Sequence, residues 1–219
     1  MSSACVLVSG GIESSVLLAD ALNRYDAVTP LYVRNHLWWE ETELFWLKNF
    51  LRGLKSERLG PLKILDLPLR DIYEGHWSLS GAKVPGSKSP DAAVYLPGRN
   101  ILFLSKAACY AARQGIVDIE IGVLKNNPFS DGSKAFFKKF SSVLSLGLGR
   151  EIAVHAPFQK LEKQDVILMG KKLTLEHTFS CLNPKGHEHC GDCNKCTERK
   201  KAFFAAGVFD KTKYKKAGI

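Results

Sequence analysis

The stretch Val6-Leu7-Val8-Ser9-Gly10-Gly11-Ile12-Glu13-Ser14-Ser15 (VLVSGGIESS) lies near the amino terminus of a chain of 219 residues. An apolar run with a strand-like pattern precedes Ser9, and a helix-like pattern follows the two glycines. A strand that ends at Ser-Gly-Gly and continues as a helix gathers free backbone N–H groups at the positive end of a helix dipole. The stretch therefore predicts either a cradle for phosphate or a tight turn with a capped helix, and two glycines alone favour the turn.

This glycine loop differs from the two common phosphate-binding loops. It lacks the Lys-Ser/Thr ending of the Walker P-loop, and it lacks the three-glycine spacing of a dinucleotide fingerprint. Its SGGIES segment resembles the SGGxDS pyrophosphate loop of the PP-loop ATP pyrophosphatases, with Glu13 in place of the aspartate. The charge is kept, and the longer side chain can reach a magnesium ion or orient the loop.

The composition is that of a globular protein, with 45% hydrophobic and 24% charged residues. A chain of this length can bury one substantial core and carry a small appended module. The net charge of +9 favours polyanions such as tRNA and nucleotides alike. Because there is no leader-like start and no apolar run of about 20 residues, we expect a cytoplasmic protein.

Short β-branched apolar runs alternate with longer helical stretches, which is typical of a parallel sheet covered by crossover helices. Strands are predicted at residues 4–8, 27–33, 63–67, 118–122 and 151–155. Helices are predicted at residues 14–23, 39–53, 99–114, 134–146 and 163–170. This order indicates an α/β fold with a Rossmann-like doubly wound parallel sheet.

Two segments depart from this alternation. Residues 72–96 are rich in Gly, Ser and Pro without a clear period, and so long a loop predicts a mobile segment beside the site. Near residue 176 the composition changes to Cys, His, Gly and Lys. We therefore predict a nucleotide-binding catalytic domain at residues 1–175 and a small metal-binding module with a solvated basic tail at residues 176–219.

Four of the six cysteines fall within sixteen residues of this second segment. Cysteines at this density in an intracellular chain indicate metal ligation rather than disulfides. Four thiolates complete a tetrahedral zinc set without an open position, although an iron–sulfur cluster also uses CxxCxxC spacing. The predicted structural zinc ligands are Cys181, Cys190, Cys193 and Cys196.

The remaining cysteines, histidines and basic residues receive structural predictions. Cys5 and Cys109 are expected to be small buried hydrophobes. The three histidines near the cysteine cluster are interpreted as surface or loop polarity, and the basic run on the helix after it as a solvated face. The histidines are His177, His187 and His189, and the basic residues are Lys195, Arg199, Lys200 and Lys201.

A glycine loop at one end of the chain and a Cys-x8-Cys-x2-Cys-x2-Cys pattern at the other resemble the QueC family of queuosine biosynthesis. LPGRNILFLSKAA at residues 96–108 is similar to that family's PGRN segment, and PFQKLEKQDVILMG at residues 157–170 to its Lys-bearing helix. The resemblance covers nearly the whole chain. It implies a ligase that uses ATP to convert 7-carboxy-7-deazaguanine and ammonia into 7-cyano-7-deazaguanine (preQ0). Magnesium would lie beside the ATP phosphates. The protein would form a homodimer and would not bind a membrane.

The resemblance also implies roles for individual residues. Lys163 would neutralise phosphate charge, Arg99 would approach the nucleotide or the deazaguanine, and Asp131 would accept hydrogen bonds from the guanine-like base. Taken alone, Lys163 is more typical of an exposed helix lysine, and LPGRN is equally typical of a capped turn. The implied ATP-binding residues are Val8, Ser9, Gly10, Gly11, Ile12, Glu13, Ser14, Ser15, Gly98 and Asn100.

The substrate segment departs from the family pattern. Where the family has Gly-Tyr-Pro-Asp-Cys-Arg, this chain has NNPFSDGSKAFF, with Ser133 at the arginine position. Lys125 or Lys134 would then have to receive the substrate carboxylate. Trp38, Trp39 and Trp77 are either stacking partners for a purine-like ring or core anchors.

Two other functions fit parts of the sequence. One is a QueC-like PP-loop enzyme with a different acceptor, in protein, DNA or tRNA modification. This function would also fit the departures from the family pattern at Glu13 and Ser133 and the net positive charge of the chain. A zinc module on an inert scaffold that binds nucleic acid is a third reading, which predicts salt-sensitive binding without ATP turnover.

Overall fold

The computed structural model describes residues 1–215 and contains one five-stranded sheet within them. All four strand pairings are parallel, in the order β3-β2-β1-β4-β5. The strands are β1 (Ser3–Leu7), β2 (Ala27–Arg34), β3 (Lys63–Asp66), β4 (Asp118–Glu120) and β5 (Ala153–His155). The predicted α/β fold class is confirmed. The order reverses at β1, so a crevice forms beyond the carboxyl ends of β1 and its neighbours.

Seven α-helices are present among the described residues. They are α1 (Ile12–Arg24), α2 (Glu40–Gly53), α3 (Trp77–Ser80), α4 (Arg99–Gln114), α5 (Lys134–Leu148), α6 (Lys163–Met169) and α7 (Asn194–Ala205). Three 3-10 helices span Asp91–Val94, Ser130–Gly132 and Leu175–His177. The predicted bounds of α4 agree with the structure, because Gly98 and Gly115 close its two ends in the left-handed conformation. Helix α3 was not predicted, since four residues are too few to show a helical period.

Apolar side chains cover both faces of the sheet. Successive β1 residues alternate between the faces, so that Val6 packs with α1 and α6 while Cys5 packs with α4 and α5. Burying one of the larger side chains in these layers contributes about 1.5–3 kcal/mol. None of the helices within residues 1–215 is long and apolar enough to cross a membrane.

The two cysteines outside the cluster have different environments. Cys5 is fully buried, as predicted, and burial raises the pKa of its thiol to about 12. The prediction for Cys109 is wrong, because this residue is exposed. Helix α4 buries Leu104, Ala107, Ala108 and Ala111, and Cys109 lies outside that stripe.

The backbone of the carboxyl-terminal segment packs against the cysteine segment up to residue 215, while the lysine side chains of the tail are exposed. The backbone of Lys213 and Lys215 hydrogen-bonds with that of His189. Arg199 is fully buried and donates from Nε to Thr212 Oγ1 at 2.8 Å. The prediction of a solvated basic face is therefore wrong for Arg199. The prediction of a solvated basic tail agrees with the exposure of Lys211, Lys213 and Lys215, although Thr212 between them is buried, and residues 216–219 lie outside the described part of the chain.

Candidate functional site

A cavity of about 650 Å³ opens at the carboxyl ends of β1, β2 and β4. Its size is in the range of small-molecule sites. Residues from the glycine loop, α4, α6 and the cysteine segment share it. The residues named from the sequence that line it are Val8, Ser9, Gly11, Glu13, Ser14, Arg99, Asn100, Asp131, Lys163 and Cys181. The segment at residues 72–96, predicted to lie beside the site, contributes Asp91, Val94, Tyr95 and Leu96.

The glycine loop is shaped by close packing of its backbone. Gly10 has φ +73°, and a Cβ atom there would lie 3.1 Å from the carbonyl oxygen of Glu43. Any other residue would strain the backbone and press against α2. The loop is held on its other side by Phe179, whose N–H donates to the Gly10 carbonyl at 2.7 Å.

The hydroxyl groups of the loop order its turn into α1. Ser14 Oγ accepts from the Ser9 backbone N–H at 3.1 Å, and Ser9 Oγ accepts from the Gly11 backbone N–H at 3.3 Å. Ile12 lies in the apolar core, and Ser15 is fully buried. Ser9, Gly11, Glu13 and Ser14 line the cavity, whereas Gly10, Ile12 and Ser15 do not.

Glu13 is paired with a lysine that is far away in the sequence. Lys163 Nζ lies 2.8 Å from Glu13 Oε1 and 2.7 Å from Glu198 Oε1. Lys195 Nζ lies 2.6 Å from the other oxygen of Glu198. A chain of four alternating charges thus connects the glycine loop to α7, which carries the last cysteine of the cluster.

Local structure places Lys163 in this network. It is the first residue of α6, which begins with a reciprocal capping box between Glu162 and Asp165. Burial alone would lower the pKa of Lys163, but Glu13 and Glu198 outweigh it and raise the pKa above its ordinary value. Burial would likewise raise the pKa of Glu198, and the two lysines instead lower it to about 2. Lys163 and Glu198 are therefore both charged at neutral pH.

The start of α4 and the segment after β4 meet at one wall of the cavity. The Asn100 backbone N–H donates to Asp131 Oδ2 at 3.1 Å, and Asn100 Nδ2 donates to the Asp131 carbonyl at 3.1 Å. Arg99 lies over the Phe103 ring, and no ion pair is found for it among residues 1–215. Its guanidinium is therefore available to an anionic ligand.

Ser133, which stands where the family has an arginine, has a structural role at the start of α5. Ser133 caps α5, its Oγ accepting from the Phe136 N–H at 3.1 Å. Lys125 and Lys134 do not line the cavity, whereas Lys195 and Lys201 do. Among the tryptophans, Trp39 lines the cavity and stacks on Trp77 at a centroid distance of 5.7 Å, while Trp38 is half exposed.

Two features of the cavity were not predicted from the sequence. Tyr95 and Phe129 stack at a centroid distance of 4.6 Å on its wall. Glu43 of α2 also lines it and accepts a hydrogen bond from the Tyr32 hydroxyl at 2.8 Å. A carboxylate in the first turn of an amphipathic helix gives no local signal, although its placement toward β2 follows from the helical period once the fold is known.

The four clustered cysteines can hold one metal ion. Their sulfur atoms all lie within 4.8 Å of one another, with Cys190–Cys196 at 3.9 Å and Cys181–Cys193 at 4.0 Å. Sulfurs around one tetrahedral ion, bonded at about 2.3 Å, lie about 3.8 Å apart. These distances exceed the disulfide bond length of about 2 Å, and all four thiols are free. The set is closed, because four ligands complete the tetrahedron.

Backbone groups support the negative charge that such a set carries. The Cys190 N–H donates to Cys181 Sγ at 3.2 Å, and the Asn183 N–H donates to the same sulfur at 3.3 Å. The Leu182 N–H donates to Cys193 Sγ at 3.5 Å. Hydrogen bonds to sulfur stabilise thiolates, which are the form that binds metal.

The neighbouring histidines stay outside the four-sulfur set. His187 is exposed, as predicted, and stacks on Phe45. The prediction of surface polarity is wrong for His189, which is buried between Phe179 and Tyr214 and accepts from the Ser180 N–H at 3.2 Å. The docking of residues 210–215 covers it, and that packing has no signature near His189 in the sequence.

The chain is similar to proteins of one family over almost its whole length. The family described as "Queuosine biosynthesis protein QueC" matches residues 3–207. The chain is 38% identical to the 7-cyano-7-deazaguanine synthase of Methanobrevibacter smithii, over 96% of this chain and 97% of that protein. It is 32% identical to the protein of the same name from Leptospira interrogans, over 95% and 89% of the two chains.

A solved structure supports the fold at lower sequence similarity. The structure of a 4-thiouridine synthetase in complex with RNA and ATP is 18% identical, covers 94% of this chain and 50% of that one, and superposes with a TM-score of 0.54. At this identity the likeness concerns the fold alone. On the family match and the full-length relatives together, the chain belongs to the QueC family.

Proposed function

We propose that this member of the QueC family is an ATP-dependent carbon–nitrogen ligase that converts 7-carboxy-7-deazaguanine and ammonia into 7-cyano-7-deazaguanine in queuosine biosynthesis. The relatives that align over almost its whole length carry the name of that activity. The observation that supports it best is the shared cavity, which joins the glycine loop, Lys163 and the wall formed by Arg99 and Asp131.

The reaction requires activation of a poor electrophile. A carboxylate resists attack by ammonia until one of its oxygens is bonded to a phosphorus atom of ATP and becomes a leaving group. Ammonia then gives the amide, and a second activation removes the amide oxygen to give the nitrile. Such chemistry depends on positioning and on stabilising charge, without an enzyme nucleophile.

The residues of the cavity fit these needs. The glycine loop offers backbone N–H groups and serine hydroxyls to phosphate, and Lys163 and Arg99 supply positive charge beside it. Asp131 is the acceptor for N–H donors of the base, and the Tyr95–Phe129 stack offers an aromatic face. Magnesium would be shared by phosphate oxygens, while Glu13 serves to orient Lys163 through their 2.8 Å contact.

We infer that the metal of the cysteine set is zinc in a structural role. Four thiolates at the spacing of a single tetrahedral ion suit zinc, and a multi-iron cluster would hold its cysteine sulfurs farther apart. Residues from 176 onward would then form the zinc module proposed from the sequence. Free thiols of this kind persist in a reducing compartment, so we infer a cytoplasmic protein.

A direct assay tests the proposal. The protein is incubated with 7-carboxy-7-deazaguanine, ammonium and Mg-ATP, and products are followed by mass spectrometry. We expect the nitrile, with the amide detected before it. If no nitrile forms, and ATP is consumed only when protein, DNA or tRNA is added, the chain is instead a QueC-like enzyme with another acceptor. Sedimentation of the same sample tests the homodimer that the resemblance implies.

A further inference from the structure

Glu43 is a carboxylate in the cavity to which neither the motifs nor the family resemblance assigns a role. It lies on α2 at the point where that helix touches the glycine loop, its carbonyl oxygen lying 3.1 Å from the position of a Cβ atom on Gly10. Its Oε1 atom accepts from the Tyr32 hydroxyl at 2.8 Å. It is therefore held in place beside the loop that is proposed to bind the ATP phosphates.

Within the part of the chain that the structure describes, the ionisable groups around Glu43 include no cation in salt-bridge contact with it. Tyr32 comes from β2, Arg99 from α4, and Glu40 from the same helix as Glu43, with the Trp39 indole as a further donor. Arg99 makes no ion pair within residues 1–215, and Glu40 is taken up by Arg34 at 2.9 Å. Glu43 is thus a carboxylate that hydrogen-bonding groups orient and that makes no salt bridge with any residue from 1 to 215.

Amide formation needs a group with these properties. Ammonia that has added to a carbonyl carbon carries a surplus proton, and the tetrahedral species reverts unless a base removes it. A base is effective when its pKa lies near the working pH and when it lies within hydrogen-bond reach of the nitrogen.

We propose that Glu43 is the general base of the amidation step, an inference that rests on the proposed function. The nitrogen of ammonia forms a bond to the activated carbonyl carbon, and its surplus proton passes to the Glu43 carboxylate. The bond from that carbon to the phosphorus-bearing oxygen then breaks, and its electron pair leaves with the oxygen. Glu43 returns the proton to solvent before the next cycle.

The protonation behaviour of Glu43 agrees with this role. Burial raises the pKa of its carboxyl to about 7, and Arg99 and the Tyr32 hydroxyl limit the rise. At neutral pH a substantial share of the molecules therefore has the carboxylate form, which can accept a proton. The other carboxylates on the cavity wall have partners. Glu13 and Glu198 pair with Lys163. Asp131 accepts from the Asn100 N–H, Asp91 accepts from Asn194 Nδ2, and Glu162 Oε1 lies 3.7 Å from Lys125 Nζ.

Glu43→Gln tests the proposal with two amines. Gln keeps the shape and an oxygen for the Tyr32 hydroxyl, but it cannot accept a proton. Hydroxylamine is far less basic than ammonia, so its adduct loses a proton without help. We expect the ammonia-dependent rate to fall by about 100-fold or more, and hydroxamate formation to fall by less than about tenfold. Glu41→Gln, on the exposed side of the same helix, should change neither rate.

The outcomes separate this inference from the proposed function. Equal losses with both amines would overturn the base assignment, because Glu43 would then act in activation or in substrate binding. An unchanged ammonia rate would overturn it as well. Wild-type protein that forms neither product would refute the proposed function, and the assignment of Glu43 with it.

A second variant guards against a misfolded Gln protein. Tyr32→Phe removes the hydroxyl that lowers the pKa of Glu43, so the pKa of the carboxyl should rise further. The ammonia-dependent rate, divided by the concentration of neutral ammonia, falls as the pH drops below the pKa of Glu43. In Tyr32→Phe this fall should therefore begin at a higher pH than in the wild type. An unshifted decline would contradict the assignment.

Discussion

Lys163 Nζ lies 2.8 Å from Glu13 Oε1, which joins the first residue of α6 to the first turn of α1. The lysine also holds Glu198, so its loss leaves two carboxylates close together in a largely buried place. We predict that Lys163→Ala abolishes nitrile formation and lowers the free energy of unfolding by about 3 kcal/mol. Urea melts and the mass-spectrometric assay measure the two effects.

The matched control is Lys171→Ala, which changes an exposed lysine just after α6. Its unfolding free energy should stay within about 0.5 kcal/mol of the wild type. If Lys163→Ala behaves in the same way, the charge network does not stabilise the protein.

The substitution Glu13→Asp tests whether the function of the glycine loop depends on the length of the Glu13 side chain. Aspartate reaches about 1.5 Å less far, so the contact with Lys163 is lost while Glu198 keeps the lysine in place. We predict a fall of about tenfold or more in ATP-dependent turnover, with little change in the melting temperature. A rise in turnover would instead mean that the loop supports faster turnover with the aspartate that the family has at this position.

The sequence patterns that predicted correctly are short and local. The Ser9–Gly10–Gly11 turn sits between a strand and a helix that are contiguous in the chain, and the four cysteines lie within sixteen residues. Such features need no knowledge of tertiary packing. For the same reason the five parallel strands were predicted to within a few residues at each end.

The incorrect and missing predictions depend on contacts between distant segments. Cys109 is apolar in character, but the stripe of α4 that faces the sheet decides its exposure. His189 and Arg199 are buried because residues 210–215 fold back over them. Neither the pairing of Glu13 with Lys163 nor the position of Glu43 in the cavity leaves a mark in the sequence nearby.

The cysteine set predicts a stoichiometric metal. We expect one zinc per chain by plasma mass spectrometry, and we expect Cys196→Ser to lose it and to unfold at a markedly lower temperature. Because Glu198 follows Cys196 on α7 and holds Lys163, the variant should also lose ATP-dependent turnover. Cys109→Ser is the control, since this exposed thiol lies outside the set and should leave the zinc content unchanged.

Asp131 is proposed to recognise the base, which predicts a selective effect on one substrate. Asp131→Asn keeps the volume and one oxygen for the Asn100 N–H, but it removes the negative charge from the cavity wall. We expect KM for 7-carboxy-7-deazaguanine to rise about tenfold to 100-fold, with KM for ATP unchanged. Equal changes in both KM values would indicate that Asp131 shapes the cavity as a whole through the start of α4.

The raised pKa of Glu43 predicts how the free energy of unfolding changes with pH, which can be measured without substrate. Its pKa is raised to about 7 from an ordinary 4.5, so the folded state binds a proton more tightly than the unfolded state. Below about pH 4.5 the carboxyl is protonated in both states, and the stabilising contribution is fully present. As the pH rises through 7 the contribution is lost, because ionisation favours the unfolded chain.

The comparison of wild type with Glu43→Gln isolates this contribution, because Gln does not titrate. We expect the variant to gain stability relative to the wild type between pH 5 and pH 8, by at most about 3 kcal/mol. Urea melts at the two pH values measure the gain. Glu41→Gln, which changes an exposed carboxylate of the same helix, is measured beside it as the control for loss of a surface charge. A pH-independent difference for Glu43→Gln would show that Glu43 has an ordinary pKa, and the carboxylate would then be a weaker base than amidation at neutral pH requires.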